Sequence, residues 1–243
     1  MQGAKPRDES DKPGPEAGPS SRERILAAAA WLFAERGLAA VGLRAITAEA
    51  GVNLAAVNYH FGSKEGLLEA LFETRAQPIA EARLRLLGEC RDEPGRPPLL
   101  EQLLDAFLRP AFTLGVEPAL GGAAFVRLRA RLAAETEAMA GRILQRAFDQ
   151  SSGRFLDAIA AALPDLPRAE VEWRFHFLLG TMVYTMANNG RIQSLTHGSC
   201  DPGDLQQALR NLIPFVAAGF RSAPLAAPAS AGPRSIPNHQ GDA

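Results

Sequence analysis

The sequence contains few of the residues that mark secreted, metal-binding or membrane proteins. It has two cysteines, Cys90 and Cys200, without a CxxC pair, and four histidines, no two of them spaced to share a metal ion. Its apolar runs are far shorter than the ~20 residues of a membrane-spanning helix, and no signal peptide precedes the first predicted helix. We therefore expect a reduced, cytoplasmic protein without a metal site.

The short motifs of the common enzyme classes are also missing. The chain has no GxSxG elbow, no P-loop, no HExxH and no glycine-rich dinucleotide fingerprint. No segment shows the alternation of apolar and polar residues that is typical of a strand. These absences favour an all-α protein that is not an enzyme and has no cofactor.

Neither sign of charge predominates in the chain. The formal net charge is −1, with 47% hydrophobic and 22% charged residues, which is ordinary for a globular protein. Residues 21–75 hold six basic and six acidic side chains. If this segment binds DNA, the attraction must come from where its charges are placed.

Residues 43–64 are the most informative segment, because they have the pattern of two short helices around a glycine turn. Gly51 supplies the left-handed backbone that ends a helix and turns the chain. Apolar and small residues before it recur at i, i+3, i+4 and i+7, which predicts one buried stripe on the first helix. These residues are Leu43, Ile46, Thr47 and Ala50.

The second helix of the segment combines a buried face with small and polar residues. Asn53 is a good N-cap, and Leu54, Val57 and Phe61 are predicted to face inward. Small residues in the first turn would let the backbone approach a DNA major groove closely, and amide side chains there can read base edges. The sequence therefore predicts a helix-turn-helix that reads DNA. The alternative is an ordinary αα-corner inside a helical bundle.

The run from Val52 to Leu67 resembles the DNA-binding domain of the TetR family of bacterial repressors. The family pattern covers roughly residues 22–70. Its matching residues here are Phe33, Gly37, Ile46, Ala50, Gly51, Tyr59, Phe61, Lys64 and Leu67. One departure is Gly42, which stands where the family often has a capping Thr or Ser, so a hydroxyl–phosphate contact is absent there.

The resemblance implies a three-helix DNA-binding head, an all-α ligand-binding body, and a homodimer that releases its operator when a small molecule binds. Carried over onto this sequence, the implied DNA contacts are Arg44, Asn53, Leu54, Ala55, Ala56, Asn58, Tyr59, His60 and Lys64. Simpler roles stay open for three of them. Tyr59 can be a half-buried packing residue, His60 can lie in solvent, and Arg44 can be a surface ion-pair donor.

The chain divides into four parts by composition. Residues 1–19 and 223–243 are rich in Pro, Gly and small polar residues, and we expect both to be disordered. Residues 20–70 form the predicted head, which opens on a capping box of Ser20 and Glu23. Residues 71–222 form the predicted body. A long fourth helix starts near Ser63 and should kink or break at Pro78.

The body is predicted to be a bundle of amphipathic helices joined by short loops. We place these helices near 99–114, 120–139, 141–162, 168–189 and 203–221. The separators are prolines and glycines at 94–98, 115–118, Gly141, 163–167 and 190–203.

The family resemblance implies that the last two helices pair with their symmetry mates to form a four-helix dimer interface. These helices span 171–189 and 205–220. The second has an apolar stripe of Leu205, Ala208, Leu209, Leu212, Phe215, Val216 and Phe220. Such a stripe can equally pack within one subunit.

Candidates for the wall of a ligand pocket are large apolar or aromatic residues and one histidine. They are Phe107, Phe112, Phe125, Leu128, Met139, Trp173, His176, Phe177, Met182 and Tyr184. Each also has a simpler interpretation as a core residue. The segments 121–128 and 173–180 resemble the fatty-acid-responsive, PsrA-type branch of the family, which implies a fatty acid or acyl-CoA effector. A helical binding or scaffold protein without an operator is the alternative function.

Overall fold

The computed structural model describes residues 19–90, 98–114, 122–134, 138–187 and 190–224. All regular secondary structure in these ranges is helical, as the sequence predicts. The helices are α1 (Ser21–Arg36), α2 (Leu43–Ala50), α3 (Leu54–Phe61), α4 (Lys64–Glu89), α5 (Leu100–Thr113), α6 (Gly122–Ala134), α7 (Ala138–Ala162), α8 (Arg168–Ala187), α9 (Arg191–Leu195) and α10 (Leu205–Arg221).

Helices α1 to α3 form a small three-helix head with its own apolar centre. Helix α1 begins at the predicted capping box: the Ser20 backbone N–H donates to Glu23 Oε2 at 2.8 Å, and Ser20 Oγ accepts from the Glu23 backbone N–H at 3.3 Å. The Ser20 hydroxyl also donates to Glu23 Oε2, at 3.0 Å, and the hydrogen bonds from the Ser20 backbone N–H and hydroxyl to the carboxylate hold the pKa of Glu23 below its ordinary value. The predicted stripe of α2 is also confirmed. Ile46 and Ala50 are buried beside Val57 of α3.

Loss of the capping box gives a prediction for stability. Ser20→Ala leaves the Glu23 backbone N–H without its side-chain acceptor, so we expect the free energy of unfolding to fall by about 1 kcal/mol. Urea denaturation followed by circular dichroism measures the change. Ser194→Ala, at an exposed serine of α9, is the matched control and should stay within about 0.5 kcal/mol of wild type. Equal losses in the two variants would show that the cap contributes nothing specific.

Helix α4 runs from the head into the body without the break predicted at Pro78. Proline has no N–H and cannot complete the backbone bond to residue 74. Of the kink or break predicted at Pro78, the break is absent, because burial on both sides of the proline holds the helix together: Ala76 and Ile79 are both fully buried. Head and body therefore share one continuous helix. A kink stays a prediction.

The body is a bundle in which α4 packs against α5 and α7, and α10 packs against α5 and α8. Its centre is aromatic. The Phe107 ring centroid lies 5.2 Å from those of both Phe155 and Phe175, so α5, α7 and α8 meet at one point. Helix α6 packs on α1 of the head as well as on α7 and α8.

Two of the predicted helix boundaries are wrong. Gly141 lies inside α7 and does not end a helix, since one glycine costs a helix only about 1 kcal/mol. The predicted loop 190–203 contains the short helix α9. The predicted breaks at 94–98 and 115–118 and the two predicted disordered tails lie outside the described residues, apart from residues 19, 98, 223 and 224.

None of the helices that the structure describes is both long enough and apolar enough to cross a membrane.

Candidate DNA-binding interface and ligand-binding body

The turn between α2 and α3 has the geometry that the sequence predicts. Gly51 adopts the left-handed conformation, with φ at 62°, and its N–H donates to the carbonyls of Ala48 and Thr47. Asn53 caps α3, because its Oδ1 accepts a hydrogen bond from the Ala56 N–H at 2.9 Å. A sharp turn and a capped second helix therefore set α3 at a fixed angle across α2.

Helix α3 is buried along one side and presents its other side to solvent. Val57 is fully buried, whereas Tyr59 is 86% exposed. Leu54 is 40% exposed, so the prediction that it faces inward is wrong. Val57 is the buried residue of α3, one turn further along the helix. We call the exposed side the α3 surface; its residues are Asn53, Leu54, Ala55, Asn58 and Tyr59.

The other predicted DNA contacts lie outside the α3 surface. Arg44 is exposed on α2, and within the described ranges it has no ion-pair partner. His60 Nε2 lies 3.0 Å from Ser21 Oγ, so this ring joins α3 to α1 and does not lie free in solvent. Lys64 Nζ donates to the Leu38 carbonyl, which directs the ammonium toward the loop after α1. Ala56 is partly exposed beside the α3 surface.

The ten predicted pocket residues divide into two groups. One group lies in the body core, where burial is complete or nearly so: Phe107, Phe112, Phe125, Leu128, Met182 and the partly buried Met139. The other group lies in solvent on the outer face of α8: Trp173, His176, Phe177 and Tyr184. The second group therefore lies on the outside of the bundle. Its four residues cannot line one interior pocket together with the residues of the first group.

The exposed aromatic residues form a continuous apolar face on α8 and α10. The Trp173 and Phe177 rings stack with centroids 5.9 Å apart, and Phe177 is 59% exposed. Phe215 of α10 lies beside them, across a groove of about 830 Å³ between the two helices. We call Trp173, Phe177, Tyr184 and Phe215 the aromatic face. The predicted stripe of α10 is largely buried against α5 and α8 within the subunit; its exception is Phe215.

Two functional candidates were missed by the sequence analysis. Arg83 and Arg129 are buried inside the body, at 1% and 5% exposure. The signal was present, since each arginine occupies an apolar helical register, for example between Ile79 and Leu87 on α4.

Ion pairs tie the head to the body at two places. Arg127 of α6 bonds Glu35 of α1 at 2.7 Å, and Arg142 of α7 bonds Glu65 at the start of α4, also at 2.7 Å. All four side chains are substantially exposed, so each pair contributes at most about 1 kcal/mol. These pairs connect the end of α1 and the start of α4 to the body helices α6 and α7.

A short helix, a left-handed glycine turn and a capped second helix with an exposed polar side define a helix-turn-helix protein. Residues 25–71 match the family model described as bacterial regulatory proteins, tetR family. Residues 105–219 match the model described as tetracyclin repressor-like, C-terminal domain. The chain belongs to the TetR family of transcriptional regulators. These proteins are not enzymes, which confirms that part of the sequence analysis.

Two transcriptional regulators are similar in sequence to part of this chain. The dual regulator CecR of Shigella flexneri is 36% identical over 96 residues, which is 37% of this chain and 42% of CecR. The regulatory protein RaaS of Mycobacterium tuberculosis is 43% identical over 68 residues, 28% of this chain and 32% of RaaS. The matched segments thus span less than half the length of either relative.

Solved structures share the whole fold. The fatty acid degradation regulator FadR from Bacillus halodurans superposes with a TM-score of 0.60. The match covers 88% of this chain and 100% of FadR, at 17% sequence identity. The superposition, and not the low identity, shows that the two chains share this fold.

Proposed function

We propose that the chain is a ligand-responsive regulator, acting as a repressor in the cytoplasm, which binds a palindromic operator as a homodimer. The observation that carries this proposal is the α3 surface: an exposed, capped helix with amides and a tyrosine beside small side chains. Ala55 and Ala56 keep the first turn slim, so the backbone of α3 can approach base edges. Asn58 supplies a side chain able to pair with a base.

The surrounding residues are assigned to the DNA backbone. Tyr59 and Arg44 are exposed and carry donors suited to phosphate oxygens. Asn53 uses its carbonyl oxygen for the cap, which leaves its amide nitrogen as the group for DNA. His60 is assigned to holding α3 against α1, through its contact with Ser21. Lys64 is assigned to holding the start of α4 against the loop after α1, and it retains further N–H donors for a phosphate.

The aromatic face is the proposed dimer interface. Large apolar patches on a single chain mark interaction surfaces, and aromatic residues dominate the binding energy of such surfaces. Gly180 and Gly219 support this assignment, because a Cβ at either position would meet open space within the single chain. Their small size favours close approach of a second copy.

The proposed effector is a small hydrophobic molecule, for which a fatty acid or acyl-CoA is the first candidate. The resemblance of 121–128 and 173–180 to the PsrA-type branch supports this class, and the similar Bacillus protein is by its name a regulator of fatty acid degradation. Binding among the body helices would shift α4, which enters the head directly, and would separate the two heads.

The first experiment is a gel shift with the intergenic DNA upstream of the chain's own coding sequence, with and without oleoyl-CoA. We expect a specific complex that oleoyl-CoA dissociates. A complex that persists at every ligand concentration would reject this effector and leave the regulator. If the upstream DNA is not bound, a selection of genomic fragments follows. If no fragment is bound in that selection either, the alternative of a helical ligand-binding or scaffold protein without an operator would replace the proposal.

A further inference from the structure

Arg83 of α4 is the largest fully buried side chain of the body that carries a charge. Its Nε donates to the Phe107 carbonyl at 2.8 Å, and its guanidinium carbon lies 3.8 Å from the centroid of the Phe107 ring. Among the described residues, one terminal nitrogen contacts the sulfur of Met182 alone, at 3.6 Å. A thioether is a weak acceptor, so this nitrogen lacks the partner that a guanidinium normally takes.

Arg129 of α6 reaches the same part of the core from another helix. Its Nε has no hydrogen-bond partner among the described residues, and its Nη2 contacts the sulfur of Met186 at 2.9 Å. The guanidinium carbons of Arg129 and Arg83 lie 5.7 and 5.9 Å from the centroid of the same Phe148 ring. The two cations therefore lie on one aromatic ring.

No carboxylate in the described part of the chain forms an ion pair with either arginine. Burial lowers the pKa of Arg83 to about 9, with a further contribution from Arg129, and burial lowers the pKa of Arg129 to about 10. Both values are above neutral pH, so both side chains stay charged. Buried charges are ordinarily paired, and two cations that have no ion pair among the described residues are strongly unfavourable in a protein core.

We propose that Arg83 and Arg129 bind the carboxylate of a small amphipathic ligand, such as the anion of a fatty acid. Its apolar part would lie among Phe107, Phe148 and the two methionines. A planar carboxylate matches the fork of donors on each guanidinium and replaces the weak sulfur contacts. Methionine side chains are unbranched and flexible, so Met182 and Met186 can move aside as the ligand enters.

The position of Arg129 links this site to the head. Arg127 lies two residues before it on α6 and holds Glu35 of α1, and Arg131, two residues after it, donates to the Glu35 carbonyl at 3.4 Å. A ligand that draws Arg129 toward Arg83 displaces α6 and, with it, the end of α1. The inference rests on the proposed function in one respect: the role of this ligand as the effector that releases DNA.

The experiment is calorimetric titration of the full chain, without DNA, with dodecanoate, its neutral analogue dodecanol, and dodecanoyl-CoA. We expect dodecanoate to bind at least about tenfold more tightly than dodecanol, because only the acid offers a charge-assisted pair. Arg129→Met should abolish that preference, and Arg129→Lys should retain part of it. Arg85→Met, at an exposed arginine of α4, is the matched control and should bind like wild type.

Thermal unfolding without ligand supplies the second readout. Arg129 is a buried cation with no ion pair among the described residues, so its removal should leave the Tm of Arg129→Met equal to or above that of wild type. A marked fall in Tm, or equal affinity of wild type for dodecanoate and dodecanol, would overturn the proposal. So would binding of dodecanoyl-CoA alone, unaffected by Arg129→Met. Because DNA is absent, these outcomes are independent of whether the chain binds an operator.

Discussion

Ala55→Glu should abolish operator binding while leaving the fold intact. Ala55 lies exposed in the first turn of α3, on the side proposed to enter the major groove. A glutamate there holds the backbone away from the bases and brings a negative charge to the phosphates. We expect the dissociation constant to rise at least about 100-fold, which corresponds to about 2.7 kcal/mol.

The substitution separates binding from stability. A carboxylate near a helix N-terminus interacts favourably with the helix dipole, so Ala55→Glu should not lower the Tm. Ala161→Glu is the matched control: it adds the same charge to an exposed alanine at the end of α7, far from α3. Fluorescence anisotropy with labelled operator measures both variants. Wild-type affinity in Ala55→Glu would remove α3 from the interface.

Phe177→Glu should convert the proposed dimer into monomers. Phe177 lies near the middle of the aromatic face, between Trp173 and Phe215. In a two-fold symmetric interface the change places two carboxylates in an apolar contact, where an unpaired charge costs several kcal/mol. We expect the dimer dissociation constant to rise at least about 100-fold. Operator affinity should fall with it, because a monomer reads one half-site.

Sedimentation equilibrium across a range of protein concentrations measures this change. Trp31→Glu is the control, since Trp31 is also an exposed aromatic residue but lies on α1 of the head. It should leave the dimer unchanged. An unaltered monomer–dimer equilibrium in Phe177→Glu would place the interface on another surface.

Most of the head follows from local sequence patterns. The capping box of α1, Gly51 at the turn and Asn53 as the N-cap of α3 are all confirmed. These features depend on interactions within a few residues, which the sequence displays directly. Leu54 differs, because its exposure depends on how far the head core extends past Val57, and spacing does not contain that information.

The body was less predictable because its contacts join distant segments. Spacing alone does not distinguish the buried Phe107 from the exposed Phe177, since both occupy apolar helical registers. The sequence predicts a kink or break at Pro78 and a separator at Gly141, yet α4 and α7 continue through these residues. Burial on both sides offsets the cost of the proline, and a single glycine costs a helix only about 1 kcal/mol. Arg83 and Arg129 occupy apolar helical registers, which is a signal of burial that the sequence contains, but their shared position against Phe148 depends on how α4, α6 and α7 pack.

The connection between body and head depends on two kinds of contact. Helix α4 carries core residues of both units along one continuous axis, and the pairs of Glu35 with Arg127 and Glu65 with Arg142 attach the head to α6 and α7. Exposed pairs of this kind are individually weak. Weak pairs can break and re-form when the head moves relative to the body. A ligand couples to that movement if it binds one of the two arrangements more tightly than the other.

The central claim is that two copies of α3 read one palindromic operator, and selection of genomic DNA fragments by the full-length chain tests it most directly. We predict enrichment of an inverted repeat whose half-site centres lie one or more helical turns apart, at multiples of about 10 base pairs. Ala55→Glu, carried through the same selection, should enrich nothing. Recovery of fragments without any shared repeat, at equal yield for both proteins, would contradict the account.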